Sequence, residues 1–397
     1  MKVGKQRIHD LPFNDVTSLG AYAAELQAQA EARGEMLPPA VRLQIGEPSF
    51  RTPEHIRHAA VYTIEHEPLT YGPAAGWPWL RELLAAKVAR VNGYTIHPQH
   101  TAVALGGSGA LETAFKAIAG PGDEVLVPDP GWPLYWMQLA SCGATGVRYP
   151  LAPQNEWLPD IASLERLVTP RTRVLLINTP GNPTGAVFPP ELIGDLLAFA
   201  QHRDLYLLSD ECYDEIVFEG RHISPATLLS AQEFEAGRFI GIYSFSKSYA
   251  MTGWRIGYIV ASAELIKTID NVLNAASTNL SIIPQRAAEA ALTGSQDCVA
   301  EMCDAYRRRR DLAVSLLKDL GRYIYTPHGA FYTLIDVSSR RGEGRQFALD
   351  LLRERNVAVA PGSTFGAVSD AYVRISLAAS EEEIERGVRE ICIFADR

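Results

Sequence analysis

Short apolar runs alternate with helical stretches along the chain from about residue 51 to about residue 296. Strands that are separated by helices form a mostly parallel sheet covered by helices on both faces. In such sheets ligands bind at the carboxyl ends of the strands. The predicted strands are Thr101–Leu105, Val125–Val127, Val174–Ile177, Leu205–Leu208, Phe239–Tyr243 and Arg255–Val260, with helices from a glycine turn to Ile118 and over Pro190–His202.

The two ends of the chain differ from this alternating region. A length of 397 residues suggests two domains. We expect residues 1–50 to form an N-terminal arm with a helix over Ser18–Arg33, residues 51–296 a large domain, and residues 297–397 a small α/β domain. The small domain is predicted to contain a long helix from about Asp297, strand-like segments at Tyr325–Val337, Ala358–Ala360 and Tyr372–Leu377, and a last helix that begins with a capping box of Ser380 and Glu383.

Composition excludes several classes of protein. The chain is 47% hydrophobic and 21% charged, as in globular proteins, and its net charge of −9 argues against nucleic acid or an anionic membrane as partner. The dense basic run Arg307–Arg310 is interpreted as a solvated or intersubunit helix face. The N-terminus has no apolar core segment after its basic residues and no apolar stretch approaches the length of a membrane span, so we expect a cytoplasmic protein without a signal peptide. The five cysteines are expected to be free thiols, and no metal site is predicted.

Ser244–Arg255 is the most informative segment. Lys247 follows the predicted strand Phe239–Tyr243 and should therefore emerge at the carboxyl end of that strand. It is surrounded by small polar residues, with Arg255 nearby as an anion binder. This environment suits an amine that forms a Schiff base beside a phosphate.

Two further segments end predicted strands, and their order along the chain is specific. Asn178–Gly185 reads Asn-Thr-Pro-Gly-Asn-Pro-Thr-Gly, and Ser209–Tyr213 reads Ser-Asp-Glu-Cys-Tyr. Together with the lysine segment they resemble the class I/II aminotransferases, over a region from about Leu43 to Ala378. The resemblance implies fold-type I, with a large domain built on a mostly parallel sheet, a smaller α/β domain on which the N-terminal arm packs, and pyridoxal 5′-phosphate (PLP) as cofactor.

The resemblance assigns a role at the cofactor ring to several residues. Lys247 would carry PLP and move the α-proton, and Asp210 would be the counter-ion of the ring nitrogen. Tyr213 and Asn182 match positions that hydrogen-bond the phenolic oxygen of the ring, and Trp132 matches the aromatic side chain that stacks on it.

The phosphate is expected at the glycine turn Gly106–Leu111, because backbone amides at a helix N-terminus bind a dianion. In the family pattern Gly107, Ser108, Gly109, Ser244 and Arg255 form this cradle. Tyr71 resembles the tyrosine that reaches the phosphate of the neighbouring subunit, which would make the protein a homodimer with shared sites.

Arg374 matches the arginine that grips the α-carboxylate of the substrate, and Gly46 matches a loop that contributes backbone contact there. Trp132 and Asn182 would also contact the substrate. Ser108 stands where bacterial aspartate-specific members carry a lysine, and no replacement arginine appears near Thr278–Pro284. Both observations place aspartate in doubt as the preferred donor.

The leading hypothesis is amino transfer from an L-amino acid to a 2-oxo acid. The alternatives are PLP-dependent elimination, replacement, cyclisation or oxidase chemistry, since one fold hosts many reactions. A non-catalytic protein of this fold is disfavoured because Lys247, Asp210, Tyr213 and Arg374 are all present. A nicotinamide dehydrogenase is disfavoured because Glu112 stands where the last glycine of the dinucleotide fingerprint belongs.

Overall fold

The computed structural model describes residues 15–34, 39–339 and 344–396. The remaining parts of the predicted arm (1–14 and 35–38) and of the predicted small domain (340–343 and 397) lie outside the described residues. The strands are β1 (Val41–Arg42), β2 (Thr101–Ala104), β3 (Glu124–Asp129), β4 (Thr145–Pro150), β5 (Thr172–Asn178), β6 (Tyr206–Asp210), β7 (Phe239–Ser244), β8 (Gly257–Ala261), β9 (Tyr332–Asp336), β10 (Val357–Ala358), β11 (Ala360–Pro361) and β12 (Tyr372–Ser376).

Fourteen α-helices lie among the described residues. They are α1 (Asp15–Ala32), α2 (Glu54–His66), α3 (Pro78–Lys87), α4 (Gly106–Ile118), α5 (Leu134–Cys142), α6 (Ile161–Leu167), α7 (Pro190–His202), α8 (Ala231–Ala236), α9 (Phe245–Ser248), α10 (Ala263–Ser277), α11 (Ile282–Thr293), α12 (Asp297–Asp319), α13 (Gly344–Arg355) and α14 (Glu381–Ala395).

The central sheet has seven strands in the order β2-β8-β7-β6-β5-β3-β4. All neighbours are parallel except β8, which is antiparallel to both β2 and β7. The inner strands β5, β6 and β7 are buried along most of their length because helices cover both faces of the sheet. The register places Asn178 opposite Asp210 and Asp210 opposite Ile242, so that three strand ends converge at one edge.

A second apolar core joins the N-terminal region to the last third of the chain. Leu19 of α1 and Val41 of β1 belong to the same buried cluster as Val357 and Ile391. β1 pairs in parallel with β10, and β11, β12 and β9 form an antiparallel sheet. The predicted boundaries of the arm and of the two domains remain predictions.

Most predicted elements of the central sheet are confirmed, and the exceptions have local causes. β4 was missed because it is an edge strand with an irregular burial pattern and contains Gly146 and Pro150. The strand predicted from Arg255 begins only at Gly257, because Arg255 has a left-handed φ of 52°.

Corrections in the last third have similar causes. The strand predicted over Tyr325–Val337 is confined to β9, since Pro327 and Gly329 interrupt its first half. The segment predicted over Ala358–Ala360 is divided between β10 and β11, which belong to different sheets. The long helix from Asp297 and the capping box of Ser380 and Glu383 are confirmed.

The basic run in α12 does not form a single solvated or intersubunit face, as was predicted from the sequence. Arg310 is only 3% exposed and donates to Pro327 O (2.8 Å) and to the carboxylate of Glu219 (2.8 Å). The guanidinium therefore fixes the helix to the segment that leads into β9.

A buried ion pair ties α3 to the segment that follows β6. Lys87 Nζ donates to Asp214 and to Asn92 Oδ1 (3.2 Å), and Asn92 Nδ2 donates to Asp214 Oδ2 (2.9 Å). Burial alone favours the neutral amine, but the charges of Asp214 and Glu215 raise the pKa of Lys87 above its ordinary value. The pair anchors the segment directly beyond Asp210 and Tyr213.

We expect Lys87→Ala to lower the free energy of unfolding by about 3–5 kcal/mol, because it leaves the buried charge of Asp214 without its partner. Lys116→Ala is the matched control: Lys116 pairs with Glu112 on the surface of α4 (2.7 Å), and its loss should cost only about 0.5 kcal/mol. Denaturant unfolding followed by tryptophan fluorescence measures both. Equal losses would show that the buried pair does not anchor this segment.

Candidate active site

The carboxyl ends of β5, β6 and β7 open into a cavity of about 560 Å³. Among the residues proposed from sequence for cofactor and substrate, all line this cavity except Gly109 and Tyr71: they are Gly46, Gly107, Ser108, Trp132, Asn182, Asp210, Tyr213, Ser244, Lys247, Arg255 and Arg374. The structure therefore brings together side chains that are separated by more than 300 positions in the sequence.

Lys247 lies in α9, the single turn that follows β7. Its Nζ donates to Gly46 O (2.6 Å) and faces the rings of Tyr213 and Phe331 at 6.0 and 5.7 Å from their centroids. Burial lowers the pKa of Lys247 to about 8, against the smaller opposing influence of Cys212 and Glu47. The fraction of the amine that is neutral and nucleophilic near physiological pH is therefore much larger than for an ordinary lysine.

Asp210 is the last residue of β6 and is 5% exposed. Burial raises the pKa of its carboxyl group, while hydrogen bonds from the Tyr135 hydroxyl to Oδ2 (2.6 Å) and from the Cys212 amide to Oδ1 (3.2 Å) oppose the rise. These donors hold a buried carboxylate in place, ready to pair with a cation.

Tyr135 was missed by sequence reasoning. It lies on α5, directly after the segment that contains Trp132, and its ring meets Trp132 edge-on with centroids 5.6 Å apart. The feature of the sequence that could have identified it is its position, three residues after the proposed stacking tryptophan.

The glycine turn between β2 and α4 contributes the N-terminus of a helix. Gly106 has a left-handed φ of 67°, and a Cβ at this residue would stand 2.8 Å from Arg255 Nη2. Arg255 donates to Leu105 O (3.3 Å) and to Thr252 O (2.9 Å), which holds its guanidinium beside the turn. The free amides of the first helical turn, a guanidinium and the hydroxyls of Ser108 and Ser244 suit a phosphate dianion.

Two predicted site residues lie apart from the cavity. The amide of Gly109 donates to Leu105 O (3.2 Å) within the helix, which leaves no free N–H there for a phosphate. Tyr71 is 85% exposed, as a residue that reaches into a neighbouring subunit would be in the isolated chain.

Arg374 of β12 is 3% exposed and lines the cavity. It donates to Asn182 Oδ1 (3.1 Å) and Gln44 O (2.5 Å), its Nε has no partner, and its guanidinium packs on the rings of Tyr332 and Phe365. Burial lowers the pKa of Arg374, although Tyr332 and Tyr213 oppose this. An anchored guanidinium with a donor to spare is suited to a carboxylate.

The donor set fits PLP. An amine, a buried carboxylate, a helix N-terminus flanked by a guanidinium, and an aromatic wall all face one cavity whose volume is in the usual range for small ligands. Among the described residues, no cluster of His, Cys, Asp and Glu side chains is suited to a metal ion.

Comparison with known proteins agrees with this geometry. The model of the family "Aminotransferase class I and II" matches residues 38–391. The chain belongs to this family. The aspartate/prephenate aminotransferase of Thermus thermophilus is 39% identical over 386 residues, which cover 96% of each chain.

Two solved structures show the same architecture. The aspartate aminotransferase of Thermus thermophilus with maleate matches with a TM-score of 0.91 and 37% identity, over 99% of this chain and 100% of the other. The aromatic aminotransferase of Pyrococcus horikoshii matches with a TM-score of 0.84 and 34% identity, over 88% and 94%.

The protein is a PLP-dependent aminotransferase of fold-type I, and its substrates are amino acids and oxo acids. The leading hypothesis from sequence is thus confirmed over the alternative chemistries. No helix in the described part of this aminotransferase is long and apolar enough to cross a membrane.

The lowered pKa of Lys247 makes a kinetic prediction. Only the neutral amine attacks an aldehyde, so the rate at which the apoprotein binds PLP covalently should rise with pH, reach half its maximum near pH 8 and then level off. An ordinary lysine, with a pKa of about 10.4, would continue to gain rate well beyond this point.

Timed reduction with borohydride, followed by peptide mapping, measures this rate and identifies the modified residue. Exposed Lys116 serves as the reference lysine in the same digests. A rate that still rises above pH 10, or a label on a lysine other than Lys247, would contradict the assignment.

Proposed function

We propose that this aminotransferase uses Lys247 as its attachment and proton-transfer residue and that it prefers amino acids with neutral side chains. One observation supports this most: Lys247, with its lowered pKa, and Arg374, with an unpaired buried Nε, face the same cavity. An amine at the reacting carbon and a carboxylate clamp beside it are the two groups that orient an α-amino acid.

Each side chain then has a defined task. Bound PLP would act as an electron sink for the α-carbon, and the carboxylate of Asp210 would keep its ring nitrogen protonated. Tyr213 and Asn182 would donate to the phenolic oxygen of the ring, Trp132 would cover its face, and the glycine turn with Ser108, Ser244 and Arg255 would hold the phosphate. Arg374 would fix the substrate so that Lys247 accepts the proton from the α-carbon and returns it to the cofactor side.

The cavity favours a neutral side chain on the donor. Among the described residues that line it, the cationic ones are Lys247, Arg255 and Arg374, and each already has a proposed partner. A second carboxylate on the donor would be buried without a counter-ion, which is costly.

The surrounding wall is partly apolar. Leu111, Leu134, Tyr332 and Phe365 line the cavity together with Trp132. The first arginine after Thr278–Pro284, Arg286, is already bound to Glu67 (2.9 Å) and Glu289 (2.7 Å). The relatives include both an aspartate/prephenate and an aromatic aminotransferase, so the fold itself accepts either class of donor.

We expect phenylalanine or leucine to be converted faster than aspartate, by about 10²-fold in kcat/KM, as expected for a charge left unpaired. The half-reaction is followed by mixing the PLP enzyme with each amino acid and recording conversion of the cofactor to its pyridoxamine form. If aspartate were the fastest donor, the proposed specificity would be wrong, and the assignment of Lys247 would be unaffected.

Ser108→Lys provides a gain-of-function test. It restores the cation at the position where bacterial aspartate-specific relatives carry one, and it should raise the aspartate to phenylalanine ratio of kcat/KM by about 10-fold or more. Ser108→Met has similar length without charge and controls for the loss of the serine hydroxyl, with PLP kept saturating. The same gain with both variants would exclude an ion pair as its cause.

We also propose that the enzyme is a homodimer. Apolar side chains are exposed in one short stretch over α2 and the segment after it, namely Val61 (51%), Tyr62 (60%), Ile64 (56%), Leu69 (55%) and Tyr71 (85%). A second copy of this chain would cover them, and Tyr71 would then donate to the phosphate in the partner site.

Tyr71→Ala should weaken PLP binding by about 10-fold or more, because a hydrogen bond to a charged group is lost. Tyr323→Ala, which removes another exposed tyrosine (42%), is the control. If sites are shared and PLP is kept low enough to leave Tyr71→Ala dimers largely unloaded, mixing inactive Lys247→Ala chains with Tyr71→Ala chains should restore roughly a quarter of the wild-type activity, since half the dimers then contain one intact site. A monomer in sedimentation experiments, or no restoration on mixing, would contradict the shared site.

The cytoplasm is the location we propose. All five cysteines are free thiols, and Cys212 lies in the wall of the active site, where a reducing environment preserves it.

A further inference from the structure

Tyr332 lies between the residues proposed to hold the cofactor ring and the residue proposed to bind the substrate carboxylate. No role was assigned to it from the sequence. It begins β9, is 1% exposed, and forms part of the cavity wall. Its hydroxyl and its ring contact different members of the site. The hydroxyl faces the cofactor side, and the ring faces the carboxylate clamp.

On the cofactor side, the hydroxyl of Tyr332 lies 2.8 Å from the hydroxyl of Tyr213, and either atom can be the donor. Each hydroxyl has only one proton. When Tyr213 donates its proton to the phenolic oxygen of the ring, the hydrogen bond between the two tyrosines survives only if Tyr332 is its donor. Tyr332, Tyr213 and the ring oxygen then form a directed chain, in which each bond strengthens the next.

On the substrate side, the ring of Tyr332 lies under the guanidinium of Arg374, whose Cζ is 4.4 Å from the ring centroid. The two residues lie on neighbouring antiparallel strands, in which Ser376 is opposite Tyr332 and Arg374 is opposite Leu334. They are diagonal neighbours on one face of the sheet, so the contact is fixed by the strand register.

We propose that Tyr332 is a positioning residue that couples the carboxylate clamp to the cofactor ring. Its hydroxyl orients Tyr213 as a donor to the phenolic oxygen, and its contact with Arg374 makes the strength of that donation depend on whether a carboxylate is bound. This inference rests on the roles proposed above for Tyr213 and Arg374.

The direction of the coupling follows from the charges near the pair. Burial raises the pKa of Tyr332, and the positive charge of Arg374 offsets part of that rise, while Glu47 adds to it. Lys247 and Cys212 are the other titratable groups near Tyr213. A bound carboxylate neutralises Arg374, which makes Tyr332 a weaker donor and the phenolic oxygen less stabilised as an anion. The pKa of the bound cofactor should therefore rise when the clamp is occupied.

Tyr332→Phe tests the hydroxyl because it keeps the ring under Arg374. The readout is the pH titration of the visible absorption of the bound cofactor, with and without 3-phenylpropanoate or maleate, carboxylates that lack an amino group. In the free enzyme we expect the titration of the variant to lie about 0.3–1 pH unit above that of the wild type, as for the loss of one hydrogen bond. The further upward shift caused by the carboxylate should be smaller in the variant.

Tyr332→Leu tests the ring. It removes both contacts, so the KM for the amino acid should rise several-fold relative to Tyr332→Phe, in which the cation–π contact persists. Tyr325→Phe is the matched control, because Tyr325 is a buried tyrosine whose hydroxyl accepts from the amide of Leu334 on the same strand (3.0 Å) but does not face the cavity. Tyr325→Phe should lower the stability of the protein and leave the pH titration of the bound cofactor unchanged.

The coupling is overturned if Tyr332→Phe titrates like the wild type both with and without the carboxylates, or if neither carboxylate shifts the wild-type titration. It is also overturned if Tyr325→Phe produces the same shift, since the effect would then be a general loosening of β9. Failure of the proposed function would be seen separately, as a label on a lysine other than Lys247.

Discussion

Burial of charge is the constraint on which this active site depends. Lys247, Asp210 and Arg374 are all withdrawn from water in one cavity, and for each of them burial alone opposes the charged form. Proteins tolerate such groups only where polar partners are fixed in advance. Here Gly46 accepts from the lysine, Tyr135 and the Cys212 amide donate to the aspartate, and Asn182 and Gln44 accept from the arginine.

The segment from Asp210 to Glu215 shows how those partners are supplied. Asp210 and Tyr213 face the cavity, whereas Glu211 and Asp214 point away from it into buried polar clusters. Glu211 is bonded to His222 (2.7 Å) and Ser224 (2.8 Å), and Asp214 is bonded to Lys87 and Asn92. Side chains that point away from the cavity therefore hold the backbone that presents Asp210 and Tyr213 to it.

Sequence reasoning could predict what is encoded locally. Lys247, Asp210 and Asn182 stand at the ends of apolar strands, and parallel strands bring such ends to one edge, so their meeting was foreseeable. Tyr135 and Tyr332 were not foreseeable in the same way, because their partners Asp210, Tyr213 and Arg374 are reached only through helix packing and strand register.

Predicted strand boundaries were wrong where the backbone of one residue interrupts an apolar run, as the left-handed φ of Arg255 does before β8. The burial of Arg310 could not be read from a run of four arginines either, since it depends on Glu219 and Pro327 elsewhere in the fold.

The anchoring of Arg374 has a consequence for the assembly of the chain. Its guanidinium is held by Gln44 from the N-terminal region and by Asn182 from the segment that follows β5, while the arginine itself belongs to β12 of the three-stranded sheet. A carboxylate that binds there meets three parts of the polypeptide that are far apart in sequence, and the pocket for it exists only when all three have docked. A substrate carboxylate bound as proposed would therefore bind the complete tertiary structure in preference to any partly assembled chain, and by mass action it would stabilise the docking of these parts to one another.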